Sequence, residues 1–328
     1  MNFNQNSHRR KNILTGEWVL VSPHRTKRPW QGKQEDSGEI KTISYDPNCY
    51  LCPGNKRANG EINPNYINTF SFINDFSAIM DSEGDNLKDG LLEAETESGI
   101  CKVLCYSPNH SMTIPQMKVE EIVLIIKLWQ KEYRELGTLN SINHIQIFEN
   151  KGEIMGCSNP HPHGQIWAQK SIPQEVKKKQ FNLKKYYADK NESLLSAYLK
   201  KELKVKERII CQNESFVALV PFWATWPFEA MIIPKIHYKS VLELSENEII
   251  DFASILKTLT IKYDNLFQTP FPYSSGIHQA PTNNNLNSEW HMHMSFYPPL
   301  LRSSSVKKFM VGYEMFGESQ RDITPEHA

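Results

Sequence analysis

The stretch Cys157-Ser158-Asn159-Pro160-His161-Pro162-His163-Gly164-Gln165 decides how this chain is read. Prolines flank His161, and proline forbids helix by fixing φ and lacking an N–H. The segment must therefore be extended. In an extended chain, residues two apart point to the same face, roughly 7 Å apart. His161 and His163 look the same way without touching, and the question is what chemistry needs two imidazoles held like that.

Outward from this stretch, the rest of the chain is ordinary. Its 328 residues suffice for one large or two medium domains with a real core. Lys plus Arg and Asp plus Glu both number 37, so total charge argues for neither nucleic acid nor an acidic membrane surface. No apolar run approaches the ~18 residues of a membrane span. Residues 1–10 are polar and lack a signal-peptide core. The expectation is a cytoplasmic protein. Six cysteines in such a chain are thiols or metal ligands rather than a disulfide framework.

The order of elements suggests a duplication. Trp18-Val19-Leu20-Val21, Phe70-Ser71-Phe72-Ile73 and residues 99–106 read as strands. Val119, Ile122, Ile126, Trp129, Tyr133 and Leu136 recur at helical spacing, with Gly137 closing the helix. Residues 142–148 read as a strand, with a turn at Asn150-Lys151-Gly152. A lysine-rich segment over 173–208 marks a boundary, its lysine runs expected on outer helix faces. The second half repeats the pattern. Strands at 216–221 and 230–233 precede a helix opened by the capping box Ser245-Glu246-Asn247-Glu248. A strand carrying His278 and a second His-x-His, His291-Met292-His293, then follow. The expected fold class is α+β, two tandem halves over 1–174 and 175–328, mainly antiparallel sheet with packed helices.

Two chemistries suggest themselves. Cys49 and Cys52 form a Cys-x-x-Cys turn, while His110 and His161 each sit in a proline-flanked loop. Together they make a tetrahedral Cys2His2 set suited to zinc, closed and therefore structural. With His161 on metal, His163 is free, and a neutral imidazole attacks phosphorus well and leaves again. Cys157 or Ser158 could be argued as a nucleophile with a histidine base, but both precede Pro160 in a turn, better placed to donate to an oxyanion. Gln165, on the face of His163, can donate an amide N–H to a phosphoryl oxygen but cannot accept a proton. That favours transfer over hydrolysis. The basic loop over residues 23–30 is a solvated loop or an anion site.

The run from Ser158 to Trp167 resembles the active-site signature of the galactose-1-phosphate uridylyltransferase family, in the histidine-triad superfamily. Other matches run in order along nearly the whole chain, among them Thr15-Gly16-Glu17-Trp18, Arg28-Pro29-Trp30-Gln31-Gly32, Asn74-Asp75-Phe76, Ser107-Pro108-x-His110 and Lys308-Phe309-Met310-Val311-Gly312-Tyr313-Glu314. The resemblance implies two histidine-triad-like halves and a UDP-glucose–hexose-1-phosphate uridylyltransferase of galactose metabolism. It implies ping-pong exchange between UDP-glucose and galactose 1-phosphate through uridylyl-His163. It assigns nucleotide-sugar contacts to Arg25, Arg28, Ala58, Asn74, Asp75, Asn150, Ser158, Gln165, Lys308, Phe309, Val311, Tyr313, Glu314 and Gln320. It also implies a homodimer whose site lies at the interface, the loop of Arg25 and Arg28 reaching into the partner's site.

One departure stands out. Family members often carry a second metal, usually iron, held by a Glu and three histidines. Here His278 and His293 match two of these ligands, Ser295 stands for the third, and Lys179 falls where the Glu belongs. The expectation is that this second metal is absent or weak. Two rival readings remain at this stage. A histidine-triad relative acting on dinucleoside polyphosphates is disfavoured by the Lys308–Glu314 match. A zinc-stabilised nucleic-acid module is disfavoured by the neutral charge.

Overall fold

A computed structural model describes residues 3, 5–27, 42–82 and 84–328. Two strands, β1 (His8–Lys11) and β2 (Trp18–Val21), form an antiparallel hairpin. Phe70–Ile73 is β3, and Leu87–Asp89 (β4) with Leu92–Ala94 (β5) forms a small exposed hairpin. The first half continues with β6 (Gly99–Cys105), helix α1 (Val119–Gly137), β7 (His144–Lys151) and β8 (His163–Gln169). Helices α2 (Gln174–Lys190) and α3 (Leu194–Val205) follow. The second half holds β9 (Ile209–Gln212), β10 (Phe216–Leu219), β11 (Ala230–Pro234), α4 (Glu246–Leu266), β12 (Tyr273–His278) and β13 (His293–Tyr297). The chain closes with the hairpin β14 (Leu300–Ser303) and β15 (Val306–Lys307), the short helix α5 (Tyr313–Phe316), and β16 (Ser319–Arg321), which pairs parallel to β2.

The halves merge into one antiparallel sheet of nine strands, ordered β3-β6-β8-β7-β12-β13-β11-β10-β9. The seam is β7 against β12, where Tyr273 opposes Lys151 and Ser274 opposes Asn150. This moves one expected boundary. The turn at Asn150-Lys151 is strand, because Ser274 and Tyr273 of the second half supply its partners; the chain turns only at Gly152, φ 90°. Local composition cannot show a partner more than a hundred residues away.

Each sheet face has its own cover. Ile145, Ile147, Ile166, Ala168, Phe216, Ile232, Ile277, Met294 and Phe296 point to one face and pack under α1 and α4. Both helices begin as their sequences require. Glu121 accepts from the Lys118 N–H at 2.7 Å, and Ser245 and Glu248 make the expected reciprocal capping box. On the other face, α2 and α3 cover Val217, Leu219, Met231 and Ile233 of the second half. The loop bearing Cys49, Leu51 and Cys52 covers Phe72, Val103 and Cys105 of the first. Between these two covers the face stays partly open, at the odd-numbered residues of β8.

The lysines at 177, 178, 184, 185, 200 and 201 are exposed as expected, but Lys179 is buried. The chain ends are tied together by charge. Arg10, 2% exposed, donates both terminal nitrogens to Glu326 at 2.7 and 2.9 Å, and Arg208 donates to the same carboxylate at 2.6 Å. Burial raises the Glu326 pKa, but Arg10 and Arg208 outweigh it and hold it down at about 2. A carboxylate depressed in the folded state stabilises above its unfolded value and loses that stabilisation as pH falls toward the folded value. The expected result is that Glu326→Gln costs on the order of 2 kcal/mol at pH 6. The cost shrinks by more than half at pH 3, read by urea denaturation of both proteins at each pH; a gap that stays constant with pH contradicts the linkage.

Candidate metal and catalytic site

Three separate segments converge behind the edge of the sheet. Cys49 and Cys52 come from a turn in which Cys52 N–H donates to the Cys49 carbonyl at 3.2 Å and Leu51 N–H donates to Cys49 Sγ at 3.4 Å. His110 comes from the loop after β6, and His161 from the proline-bound segment that enters β8. Their ligand atoms all lie within 4.8 Å of one another, and all four side chains are buried. Cys52 Sγ is 3.5 Å from Nδ1 of both His110 and His161, and Cys49 Sγ is 3.9 Å from His161 Nδ1. Donors around a tetrahedral ion with metal–sulfur and metal–nitrogen bonds of ~2.3 and ~2.1 Å stand ~3.6 Å apart, so the spacing suits such an ion.

The surroundings prepare these ligands. His161 Nε2–H donates to the Ser107 carbonyl at 2.8 Å, which turns the Nδ1 lone pair toward the cysteines. Burial pulls the His161 pKa down to about 4, so the ring is neutral and able to ligate. Asn159 Nδ2–H donates to Cys49 Sγ at 3.5 Å, while its Oδ1 accepts from the His161 N–H at 3.0 Å. Burial pushes the Cys52 thiol up to about 11, so a thiolate here requires a cation beside it. The chain therefore holds a buried Cys2His2 cluster able to bind a metal ion.

Two residues on, His163 opens β8 and faces a cavity of about 360 Å³. Its Nδ1–H donates to the His161 carbonyl at 2.7 Å, leaving Nε2 without a proton. Burial lowers its pKa, partly offset by that carbonyl. Gln165 lies on the same strand face. Its Oε1 accepts from Trp167 Nε1 at 3.3 Å; an indole can only donate, so the amide NH2 is the end left over. Gly164 between them is required by space: a Cβ there would lie 2.1 Å from the Tyr106 hydroxyl.

The cavity also collects Ala58, Asn74, Asp75 and Ser158, four of the residues assigned by resemblance, with Phe76 of the Asn74-Asp75-Phe76 match and with Tyr50, Leu51, Phe72 and Val103, to which the sequence assigned no site role. Asp75 is tied to Arg57 at 3.4 Å, and Arg57 stacks over Phe72 at 4.3 Å. The remaining assigned residues sit elsewhere. Cys157 does not line this cavity; its thiol donates to the Asn159 carbonyl at 3.0 Å. Asn150, on β7, accepts from Ser274 Oγ at 2.7 Å. Arg25, Lys308, Phe309, Val311, Tyr313, Glu314 and Gln320 line a second cavity of about 420 Å³ that, among the described residues, shares none with the first. There Lys308 pairs with Glu314, and Arg25 pairs with Asp322 at 3.1 Å. Arg28 lies outside the described residues.

The second half repeats the arrangement without its cysteines. His293 Nδ1–H donates to the His291 carbonyl at 3.1 Å, and His291 Nε2–H to the Pro234 carbonyl at 3.0 Å. The His237 and His291 rings lie 5.1 Å apart, against 5.5 Å for His110 and His161. Where the first half has thiolate sulfur, His291 Nδ1 meets the Ser196 hydroxyl at 3.1 Å.

Comparison with known proteins places this geometry. Residues 1–173 match the family model for the galactose-1-phosphate uridyl transferase N-terminal domain, and residues 177–328 that for its C-terminal domain. The chain is 52% identical to a galactose-1-phosphate uridylyltransferase of Haemophilus influenzae, over 99% of this chain and 93% of that one. It is 50% identical to the Saccharomyces cerevisiae protein of that name, over 99% and 93%. Among solved structures, a uridylyltransferase superposes with a TM-score of 0.76 at 26% identity, covering 98% of this chain and 95% of that one. An ADP-glucose phosphorylase from Arabidopsis thaliana shares the fold, with a TM-score of 0.76 at 24% identity over 98% and 96%.

Proposed function

The chain belongs to the galactose-1-phosphate uridyl transferase family, and from that premise we propose that it moves UMP between UDP-glucose and galactose 1-phosphate through a uridylyl group on His163. The observation that carries this reading is His163 itself, with Nδ1 tied to a carbonyl and Nε2 bare in a cavity beside an amide donor. Nε2 attacks the α-phosphorus, the bond to the β-phosphate oxygen breaks, and glucose 1-phosphate leaves. A phosphate oxygen of galactose 1-phosphate then attacks, the P–N bond breaks, and UDP-galactose leaves with Nε2 restored. While phosphorus is bound the ring is cationic, and the Nδ1–H bond to the His161 carbonyl stabilises that charge. Gln165 donates to a phosphoryl oxygen and offers water no base, and Ser158 stands by as a further donor.

The metal we assign to Cys49, Cys52, His110 and His161 is zinc, whose soft tetrahedral preference suits two thiolates and two imidazoles. Four protein ligands leave no open position, so its contribution is to hold the loop of Cys49–Cys52 against the strand that carries His163. Six free cysteines accord with a reducing, cytoplasmic setting. Among the described residues no helix is long and apolar enough to cross a membrane.

The two cavities support a shared site. Among the described residues, the lining of the His163 cavity contains no lysine or arginine, yet a diphosphate needs cationic donors. Arg25, Arg302, Lys307 and Lys308 line the other cavity, beside the exposed Phe309, Val311 and Tyr313. We therefore read the enzyme as a homodimer in which residues 175–328 of one subunit, together with its Arg25 loop, complete the His163 site built by residues 1–174 of the other. Co-expression of His163→Asn with Lys308→Ala, each inactive alone, is expected to restore about a quarter of wild-type activity, because half of randomly paired dimers are mixed and each has one intact site. No restoration would place both residues in one subunit's site.

The transfer itself is tested by incubating the protein with UDP-glucose and labelled glucose 1-phosphate alone. A covalent uridylyl-enzyme exchanges label into UDP-glucose without galactose 1-phosphate. Release of free UMP without exchange defeats the reading, and an ADP-glucose arm reads nucleotide preference.

A further inference from the structure

Lys179 is 7% exposed, on a helix whose other lysines face solvent. Its ammonium lies 3.0 Å from Nδ1 and 3.1 Å from Nε2 of His278. Among the described residues no carboxylate comes within ion-pair distance of it. His278 opposes His293 across β12 and β13, and their rings stack at 4.7 Å. Nε2 of His293 and both ring nitrogens of nearby His144 are buried without a hydrogen-bond partner. The result is a buried cluster of nitrogens around one formal charge.

These are the positions where the family resemblance implies a second metal, and the residues do not fit one. Two imidazoles are in place. The expected carboxylate is a lysine, and the third imidazole is Ser295, a weak ligand. A site of two neutral imidazoles and no anion binds a hard or borderline divalent ion poorly. The ammonium also repels it, since like charges a few ångströms apart in a buried site are poorly screened.

We propose that the Lys179 ammonium is the resident cation of this cluster, holding α2 against β12 and β13 in place of a second metal ion, so that each chain binds metal only at the Cys2His2 site. The charge is sustained from a distance. Burial lowers the Lys179 pKa, while the charges of Glu175 and Glu229 raise it. Glu229 is itself fixed by the backbone N–H groups of Thr225 and Trp226 at 2.6 and 3.1 Å. Burial and the Lys179 charge both lower the pKa of His278 and His293. This inference does not depend on the transfer reaction.

The test is metal stoichiometry on the full chain by elemental analysis, with Co2+ titration and its visible absorption as a second readout. Wild type is expected to hold one tightly bound ion. Lys179→Glu/Ser295→His is expected to hold two, the added ion showing its own ligand-field bands. Lys179→Met removes the charge without adding a ligand, and is expected to take up a second Co2+ at least tenfold more tightly than wild type. The proposal is overturned by two ions in wild type, by one ion in a folded double variant, or by Lys179→Met binding Co2+ no better than wild type. The Met variant decides the matter if the double variant does not fold.

Discussion

His163→Asn is expected to reduce label exchange between glucose 1-phosphate and UDP-glucose by at least ~10⁴-fold, while metal content and melting temperature stay at wild-type values. The size follows from the proposed role of His163 Nε2 as the atom that forms the covalent bond, whose loss in nucleophilic enzymes removes most of the rate advantage. The neutrality toward stability follows from the site. His163 is half-buried at the mouth of a cavity, and among the described residues its side-chain hydrogen bond is from Nδ1 to the His161 carbonyl. An asparagine amide can make that bond from its own NH2, leaving the backbone entry to β8 unchanged. No neighbour is placed to substitute. The Cys157 thiol is turned to the Asn159 carbonyl and raised by burial, and Gln165 carries no nucleophile. Exchange within a hundredfold of wild type in this variant would move the covalent role elsewhere.

Cys52→Ser should behave in the opposite way. It is expected to lose at least nine-tenths of the bound metal, to lower the melting temperature by ~10 °C, and to lose exchange as a consequence. Cys52 is fully buried and lies 3.5 Å from both histidine ligands. The sequence separations to those ligands are 58 and 109 residues, so an ion bound here closes long loops. Structural zinc contributes ~10–16 kcal/mol in small domains that fold only with metal. Here α1, α4 and the sheet hold a core of their own, so a smaller cost of ~5 kcal/mol is expected, which for a protein of this size is ~10 °C. The catalytic loss arises because Tyr50, Leu51 and Ala58, next to the metal turn, line the His163 cavity. Differential scanning and elemental analysis on the purified variant check both parts; a metal-free variant that melts with wild type would show the ion to be dispensable for the fold.

The two variants test a division that was already legible in the sequence. Pro160 and Pro162 force an extended backbone, the cysteine pair has metal-ligand spacing, and Gln165 carries no base. Each is a property of a few adjacent residues. The Ser245–Glu248 capping box and the apolar spacing of α1 are local in the same sense, and both helices begin where such signals put them. Misses were of another kind. Asn150 looked like a turn residue and is a strand residue, because its partner Ser274 belongs to the other half. Lys179 falls by resemblance at a metal-ligand position, yet its run of three lysines is expected on an outer helix face, since the run itself does not tell which lysine faces inward.

By itself, the sequence determined which residues can bind metal, attack phosphorus and donate to a phosphoryl oxygen, because ligand softness, nucleophilicity and proline stiffness travel with the residue. Only the tertiary structure decided how these are oriented and shared. The pairing of β7 with β12 makes one sheet of two halves. The Ser107 and His161 carbonyls choose which imidazole nitrogen is free. Arg25 and Lys308 fall in a cavity separate from that of His163, and Lys179 is carried into a cluster of histidines. Strand pairing, burial and tautomer choice depend on groups distant in the chain, and their energies exist only once those groups are brought together.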